Sequence, residues 1–470
     1  MKPITAEVCV VGAGPAGASI ACRLARLGHD VVLIGDESPH RRALPESISP
    51  GIYPLLDLLD LNETLDTFAT ECDPPDVRWE EAGPTERPAS GPTGYLVDRS
   101  RLDACLLDAA RRAGVHVIAA RVGDVPARRD QGGWLVQLAK PVFQEVHVDF
   151  LIVATGRKPL LFQGRKRIMP PLLALHSLWK RPPPARTQIA VEALRDGWVW
   201  WATLADGSYC AVAFMAPALR SRSRQPSIES IYLTFLSEAA SFRNCLSGSQ
   251  IARVSACDAS AIFANEVIGN DWMLVGDSAV ALEPISAQGI QVALKLGCQG
   301  AVVVHTLISD PSSAPVAEMF YRDQCGAIAA RHGRAATEFY ARPERFLHEP
   351  FWMARASRNA NPAPRPALPM GPVDATTLLR LSTDASIRDL PCLIGDRICL
   401  QAALDHPSLD GPVSNLGNVA VAPLLRGTTQ AQTAGELCRS WMRTGLTERP
   451  LTLLRWFLKN GILTPTDVPA

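Results

Sequence analysis

Three glycines near the amino terminus, Gly12, Gly14 and Gly17, have a spacing suited to binding a diphosphate. They follow an apolar segment that predicts a strand and precede a small-residue segment that predicts a helix. Gly12 would permit the sharp turn, Gly14 the approach of the phosphates and Gly17 the close packing of the helix. Pro15 and Ala16 begin that helix, at the positive end of its dipole. The pattern therefore predicts a dinucleotide-binding turn.

An acidic residue at the end of the following strand commonly binds the ribose of such a dinucleotide. Gly35 occupies the expected position of this acid, and Asp36 follows it. A shift of one residue would let Asp36 bind the ribose. The alternative is that Asp36 only caps the strand.

Two later segments resemble those of the FAD-dependent monooxygenases of the aromatic hydroxylase and tryptophan-halogenase superfamily. One is LIVATGR at 151–157, and the other is LVGDSAVALEPISAQG at 274–289. The resemblance implies that Gly276 and Asp277 bind the ribityl and pyrophosphate part of FAD. It also implies that the segment from Pro284 to Gly289 lies against the isoalloxazine ring.

The residue types in the second segment suit these implied roles. The carboxylate of Asp277 can accept hydrogen bonds from hydroxyl and backbone donors, which fits a ribityl chain. A helix that begins near Gly289 would stabilise negative charge on a reduced flavin. A generic surface loop at 276–289 is the alternative.

The segment GYLVDRSRLD at 94–103 completes the likeness, because the superfamily places an arginine against the cofactor before such a helix. Arg99 is the best match, and the alternative is a solvent-facing arginine at a helix start. The cofactor is therefore predicted to be non-covalent FAD. Its predicted ligands are Gly12, Gly14, Pro15, Ala16, Gly17, Asp36, Ser47, Arg99, Thr155, Gly156, Gly276, Asp277, Pro284, Gly289 and Ile290.

Two segments resemble the halogenase branch of the superfamily. One is PESISP at 45–50, and the other is GWVWW at 197–201, although Ala202 and Thr203 stand where halogenases have Ile-Pro. The resulting candidates for catalytic residues are Glu46, Trp198, Trp200, Pro284 and Gln288.

Core packing is the alternative for the tryptophans. In a strand, Trp198 and Trp200 share one face and Trp201 lies on the other, and packing of at least two of them in the core is favoured. Glu46 would act as an acid or base on the substrate side of the flavin. Its alternative is a helix cap or a surface position.

The chain contains no lysine from Pro3 to Ala139, the stretch in which halogenases keep the lysine that directs hypohalous acid. Arginine cannot replace this amine, because a guanidinium stays protonated and is a poor nucleophile. We therefore expect no halogenation. Hydroxylation of an electron-rich aromatic ring through a flavin C4a-hydroperoxide remains, with O₂ as co-substrate.

The source of reducing equivalents is left open by the sequence. The Asp-Gly motif that simple hydroxylases use with NAD(P)H is missing near residues 154–156, and no second GxGxxG pattern occurs. Reduced flavin would come from a separate flavin reductase, or NAD(P)H would bind transiently.

Within the superfamily, the chain is similar to the flavoprotein monooxygenases that mature quinohemoprotein amine dehydrogenase. This likeness implies that the substrate is a tryptophan of a partner polypeptide, dihydroxylated during quinone cofactor biogenesis. The alternatives are a halogenase, a small-aromatic hydroxylase, a reductase of isoprenoid double bonds and, in another class, a non-catalytic FAD-stabilised binding protein.

Composition sets wider limits on partners and location. Lys plus Arg (47) equal Asp plus Glu (47), which gives no argument for nucleic acid or an anionic membrane. The 12 cysteines lack metal-ligand spacing, so we expect buried thiols and no metal. The amino terminus carries no leader pattern, and we therefore expect a cytoplasmic protein.

The predicted fold class is α/β: a glutathione-reductase-type, Rossmann-like FAD domain, a mixed or antiparallel sheet over the substrate, and a small helical C-terminal domain. The FAD domain is predicted from 1–70, 94–165 and 255–350, and the sheet domain from 71–93 and 166–254. A Pro-rich linker at 351–374 precedes the helical domain at 375–470. Trp441 and Trp456 are predicted to be exposed there and to help dock the polypeptide substrate. A stabilising lid is the alternative.

Overall fold

A computed structural model describes residues 4–35, 45–72, 75–80, 94–130, 132–139, 145–158, 164–180, 188–203, 207–222, 227–243, 248–356, 373–409, 411–428 and 430–466. These residues divide into two compact units. The first is drawn from Met1–Val302 and Ala329–Asn359, and the second from Val303–Ile328 and Ala360–Ala470. The finer division of the first unit into FAD-binding and substrate-covering domains stays a prediction.

The elements before the Pro-rich segment include both strands and helices. The strands are β1 (Ile4–Val11), β2 (Val31–Gly35), β3 (Pro45–Ile48), β4 (Ala69–Glu71), β5 (Asp76–Arg78), β6 (Tyr95–Asp98), β7 (His116–Ala119), β8 (Val122–Asp130), β9 (Gly133–Leu138), β10 (Glu145–Val153), β11 (Arg165–Arg167), β12 (Leu173–Lys180), β13 (Ile189–Leu194), β14 (Gly197–Thr203), β15 (Ser208–Met215), β16 (Ser249–Gln250), β17 (Ser255–Asp258), β18 (Ile262–Ala264), β19 (Ile268–Gly269), β20 (Trp272–Leu274) and β21 (Val280–Ala281). The helices are α1 (Pro15–Arg26), α2 (Tyr53–Asp57), α3 (Leu65–Phe68), α4 (Arg99–Arg112), α5 (Pro217–Arg222), α6 (Ile228–Glu238), α7 (Gly289–Ser309), α8 (Ala314–Ala341) and α9 (Pro350–Ala356).

A mainly parallel sheet carries β20, β10, β1, β2 and β7 side by side. The last four residues of β1 and all of β2 are buried, as expected for parallel strands covered on both faces. The predicted β-α-β unit is therefore confirmed by β1, α1 and β2. Val153 at the end of β10 pairs with Val11 of β1 and Leu274 of β20. Three strands thus end together, at the edge where such sheets bind ligands.

A second sheet has the order β16, β12, β15, β14, β13 and β5. Its pairs from β12 to β13 are antiparallel, in agreement with the predicted mixed or antiparallel sheet. Trp201 packs with Tyr232 of α6 in one cluster, whereas Trp198 packs with Tyr340 and Trp352 in another. Both faces of this sheet are therefore covered by protein.

A small sheet of β3, β6 and β4 positions several predicted site residues. Glu46 pairs with Val97, and Ser47 pairs with Leu96. At the end of β6, the Asp98 side chain accepts hydrogen bonds from the backbone amides of Ser100 and Arg101 in the first turn of α4 and so caps that helix. Arg99 at the start of α4 is thereby held beside β3.

In the part of the chain that the structure describes, α7 is the helix whose length and apolar composition would suffice to cross a membrane. Of its most apolar window, 72% is buried inside the protein. Burial of this kind is typical of a core helix.

The second unit contains strands as well as the predicted helices. Its strands are β22 (Leu378–Leu381), β23 (Ser386–Ile394), β24 (Arg397–Asp405), β25 (Asn415–Leu416), β26 (Val419–Ala420), β27 (Gln432–Thr433) and β28 (Leu463–Pro465). Its further helices are α10 (Val421–Leu424), α11 (Ala434–Arg443) and α12 (Pro450–Lys459). β23 and β24 form a hairpin whose turn places Gly395 at a φ of +61°.

The tryptophans predicted to be exposed in this unit are not equally so. Trp441 is buried, and its Nε1 donates a hydrogen bond to the Leu424 carbonyl at 2.8 Å. Trp456 is half-buried against the same core. The prediction for Trp441 was wrong, because α11 turns its apolar face towards Phe457 of α12.

Candidate functional site

The glycine turn packs tightly against the end of β10. Gly12 has a φ of +115°, and a Cβ atom there would lie 2.3 Å from the carbonyl oxygen of Ala154. A Cβ atom at Gly17 would lie 1.8 Å from the carbonyl oxygen of Gly12. A larger residue at either position would have to displace backbone, so the turn depends on glycine.

The first turn of α1 faces the same edge of the sheet. Gly14 is its N-cap residue, and no side chain caps the helix. Pro15 occupies the first position, where a missing N–H costs nothing. Among the described residues, no side chain accepts a hydrogen bond from the remaining amides of this turn, which is the condition under which a helix start binds a diphosphate.

The Gly-Asp pair after β20 lies against this helix start. Gly276 has a φ of +62°, and a Cβ atom there would lie 2.6 Å from the Cβ atom of Ala16. The carboxylate of Asp277 lies 3.3 Å from Nε of Arg157, which follows β10. The parallel pairing of β10 and β20 therefore brings the two motifs together.

Asp277 is a carboxylate among cations. Although 34% of its side chain is exposed, burial raises its pKa, and Arg157 opposes this effect. Glu46 raises the same pKa and Arg99 lowers it, so both lie within electrostatic reach. Arg165 adds a second guanidinium to this region, and its Nη1 donates to the Arg157 carbonyl at 2.8 Å.

Ser47 contributes a polar atom that the protein leaves unsatisfied. Its Oγ is buried and has no hydrogen-bond partner among the described residues. Nearby, Ser49 Oγ donates to Oε1 of Gln291 in the first turn of α7 at 2.8 Å. A buried hydroxyl without a protein partner is expected where a ligand supplies the missing hydrogen bond.

Glu46 is held in place by Arg99. Arg99 Nη1 lies 2.6 Å from Glu46 Oε1, and Arg99 Nε lies 2.9 Å from Asp103 Oδ1. Burial by itself lowers the pKa of Arg99, but the two carboxylates raise it by more. The Glu46 side chain is still 39% exposed. Its charge also adds to the effect of burial in raising the pKa of Cys210 on β15, so Glu46 lies within reach of the second sheet.

The segment before α7 forms an exposed turn. Pro284–Ser286 is a short 3-10 helix, and Gln288 and Gly289 after it are exposed. Ala287 adopts a left-handed conformation with a φ of 49°, which costs a non-glycine residue about 1 kcal/mol. Ile290 is buried and anchors the start of α7. Contact of this turn with a cofactor stays a prediction.

The three tryptophans of β14 differ in their surroundings. Trp198 and Trp201 are buried on opposite faces of the sheet, whereas Trp200 is half-buried. Trp200 packs beside Leu96 of β6 and Ile189 of β13. Trp200 is therefore the tryptophan of this strand best placed to line a pocket.

Several predicted residues stay untested by the geometry. Asp36 lies outside the described residues. Thr155 Oγ1 donates to the Lys158 carbonyl at 2.9 Å. Gly156 has a φ of +72° and accepts a hydrogen bond from Ser278 Oγ at 3.2 Å. Among the described residues, no group of three or more His, Cys, Asp or Glu side chains could hold a metal ion.

Four residues of this region were not among the predicted site residues: Arg157, Arg165, Glu283 and Tyr340. Tyr340 donates a hydrogen bond to Glu283 at 2.6 Å. Arg157 and Glu283 lie within the motifs at 151–157 and 274–289, and this position was the available signal. Arg165 and Tyr340 come from other elements, and the fold alone brings them here.

These features fit FAD. An uncapped helix start, a glycine turn without room for side chains, and the unsatisfied hydroxyl of Ser47 lie where the sheet strands end. Arg157 and Arg165 add positive charge near Asp277. A diphosphate with a polar ribityl chain would satisfy these groups.

Comparison with known proteins agrees with this geometry. The family model described as tryptophan halogenase matches residues 80–368. LodB of Marinomonas mediterranea, described as an FAD-dependent oxidoreductase, is 26% identical over 372 residues that cover 75% of this chain and 98% of LodB. A tryptophan 2-halogenase of Chondromyces crocatus is 25% identical over 378 residues, which cover 75% of this chain and 71% of that enzyme.

Solved structures extend the likeness to almost the whole chain. QhpG, a peptidyl tryptophan dihydroxylase essential for tryptophylquinone cofactor biogenesis, superposes with a TM-score of 0.78 at 27% identity, covering 97% of this chain and 99% of QhpG. The flavin-dependent halogenase CmlS shares the fold with a TM-score of 0.79 at 17% identity, over 100% and 97% of the chains. The chain therefore belongs to the tryptophan halogenase family and is an FAD-dependent oxidoreductase.

Proposed function

We propose that this enzyme hydroxylates a tryptophan side chain of a partner polypeptide during the biogenesis of a quinone cofactor. The observation that carries the proposal is the likeness to QhpG, which includes the second unit as well as the FAD-binding part. The matched family model, in contrast, ends at residue 368.

The residues that would hold FAD come from the strand ends of the parallel sheet. The glycine turn and the start of α1 would bind the diphosphate, and Asp277 with Arg157 would hold the ribityl chain. Ser47 and the turn at 284–289 would adjoin the ring system. When bound, FAD supplies the two-electron chemistry with O₂ that oxygen insertion requires.

The substrate side would be formed by β3 and β14. Glu46 is fixed by Arg99 yet remains partly exposed, so its carboxylate could accept the proton that the aromatic ring loses. Trp200 would pack against the substrate indole and help to exclude water. Both roles depend on the substrate entering between these strands.

Halogenation is the second candidate, and the shared fold of CmlS favours it. The absence of lysine from Pro3 to Ala139 argues against it, since the halogenases keep a lysine in this stretch. A non-catalytic FAD-stabilised binding protein is the candidate of another class.

For the other partners, we propose a separate flavin reductase as the electron source, with transient binding of NAD(P)H as the alternative. We propose that the polypeptide substrate docks at the second unit, where Met442 and Leu451 expose about half or more of their surface at 51% and 60%. The cytoplasmic location and the absence of nucleic-acid and membrane partners stay predictions.

The deciding experiment is co-expression with a candidate polypeptide substrate, followed by mass spectrometry of that polypeptide. A gain of two oxygen atoms on a tryptophan supports the proposal. A chlorine isotope pattern would make the protein a halogenase. An unmodified polypeptide together with no substrate-dependent O₂ consumption would favour the binding protein.

A further inference from the structure

A buried chain of hydrogen bonds ends at the residue that precedes the exposed turn at 284–289. Trp198 Nε1 lies 3.0 Å from the Tyr340 hydroxyl, which lies 2.6 Å from Oε1 of Glu283. All three side chains are at most 2% exposed. The chain links β14 of the second sheet, α8 and the segment before α7.

The direction of these bonds follows from the chemistry of the groups. An indole N–H can only donate, so the Tyr340 oxygen accepts from Trp198. The Tyr340 hydroxyl is therefore left to donate its own hydrogen to Glu283 Oε1. The other oxygen, Oε2, is buried and has no partner among the described residues.

An unpartnered carboxylate oxygen is costly to bury when charged and much less costly when it carries a proton. The groups facing Glu283 keep the two states close in energy. Burial raises the pKa of Glu283, and the hydrogen bond from Tyr340 and the charges of Arg355 on α9 and Arg157 after β10 oppose this effect, which leaves the pKa at about 7. A further negative charge nearby would therefore shift the balance towards the protonated form.

We propose that Glu283 takes up a proton on Oε2 when the bound FAD is reduced. This inference rests on the proposed function, because it places the FAD ring beside the turn that begins at Pro284. Two electrons and two protons enter in this step. One proton goes to the reduced FAD and the other to Glu283, with the electrons supplied by a flavin reductase or a pyridine nucleotide.

Proton uptake on Oε2 would neutralise the charge of Glu283 and leave the hydrogen bond from Tyr340 to Oε1 in place. It would act together with the start of α7, whose dipole also favours negative charge near Gly289. Coupling is reciprocal, so a protonated Glu283 would in turn make the FAD easier to reduce.

The test is the midpoint potential of the FAD-loaded protein, measured from about pH 7 to 9 in a dithionite titration against a reference dye, since its slope reports protons taken up per electron. In Glu283→Gln the amide oxygen still accepts from Tyr340, but no proton can be added. We expect its slope to be half that of the wild type. Glu266→Gln, which changes an exposed carboxylate of the same unit, should keep the wild-type slope.

A second variant guards against loss of FAD binding in the first. Tyr340→Phe keeps the carboxyl but removes the hydrogen bond that lowers the pKa of Glu283, so the pH at which the slope changes should move upwards. The inference would be overturned if a yellow Glu283→Gln protein had the wild-type slope. It would also be overturned if the pH at which the slope changes did not move in Tyr340→Phe. Neither result would contradict the proposed function. A wild-type protein that cannot bind FAD would overturn both this inference and the proposed function. If the slopes of the wild type and Glu283→Gln differ as expected but no hydroxylation is found, only the proposed reaction would be contradicted.

Discussion

The carboxylate of Asp277 and the guanidinium of Arg157 face each other, with 3.3 Å between Oδ2 and Nε. Arg157 is further fixed by Nη2, which donates to the Leu282 carbonyl at 2.9 Å. The pair joins the ends of β10 and β20, so it positions the carboxylate that would bind the ribityl chain. Both residues follow strands of the parallel sheet in which β1 leads into the glycine turn.

Arg157→Ala should therefore weaken FAD binding. Loss of a charge-assisted hydrogen bond commonly costs about 1.5–3 kcal/mol, which corresponds to an affinity about 10- to 100-fold lower. Flavin fluorescence quenching in a titration of apoprotein measures this affinity. Lys158→Ala removes the neighbouring exposed cation and is the matched control. Equal affinities for the two variants would contradict a role for Arg157 in the site.

Gly12→Ala should abolish FAD binding, because the added Cβ atom would lie 2.3 Å from the Ala154 carbonyl. Gly28→Ala is the control, since Gly28 also has a positive φ, of +93°, but no atom within 4 Å of the added Cβ. Both variants carry the backbone cost of a left-handed alanine, about 1 kcal/mol. Only Gly12→Ala should yield colourless protein, as judged by visible absorbance after purification in excess FAD. A yellow Gly12→Ala protein would show that the turn can accommodate a Cβ atom and still bind FAD.

The sequence was sufficient to predict the strand, glycine turn and helix at the amino terminus because their signals are local. Gly12 and Gly17 lie within a few residues of one another, and their roles follow from turn and helix geometry. The alternation in β14 likewise predicted that Trp198 and Trp201 lie on opposite faces. These features depend on neighbouring residues alone.

The rest depends on contacts between distant residues. Tyr340 meets Glu283 and Trp198 across 57 and 142 residues of sequence. No periodicity links such positions. The strands of the second unit were missed for a related reason: β24 alternates poorly between buried and exposed residues, and its pairing with β23 is set by the turn at Gly395.

Arg99→Ala should reduce both FAD binding and hydroxylation. The change would leave Glu46 and Asp103 without the guanidinium that joins them, so Glu46 would lose its fixed position. Arg101→Ala is the matched control on the same helix, because its side chain is 70% exposed. We expect a loss of about tenfold in kcat/KM for Arg99→Ala. Unchanged kinetics would place Arg99 outside the site.

Trp200→Ala should raise the KM for the polypeptide substrate and cause only a small loss of stability, because Trp200 is half-buried and faces β6. Trp201→Ala should instead destabilise the fold by about 3–5 kcal/mol, since it removes a buried aromatic side chain. Steady-state kinetics and urea denaturation of both variants separate the two effects. A KM that does not change in Trp200→Ala would remove this residue from the predicted pocket.

His332 on α8 should make the protein less stable in acid. It is 6% exposed, and its Nε2 is buried without a partner among the described residues. Burial, together with the nearby cations of Arg331 and Lys295, lowers its pKa from 6.5 to about 4. Between these two values the unfolded chain binds more protons than the folded one, so the stabilising contribution is complete above pH 6.5 and is lost as the pH falls towards 4.

The size of this effect follows from the two pKa values and amounts to about 3.5 kcal/mol, at about 1.4 kcal/mol for each pKa unit. Urea denaturation of the wild type between pH 7 and 4 should therefore show a steeper loss of stability than His332→Gln, which has no ring to protonate. His348→Gln serves as the control, because it removes a histidine whose side chain is 74% exposed. If His332→Gln loses stability with pH as steeply as the wild type, then His332 is protonated in the folded protein and is not the source of the acid sensitivity.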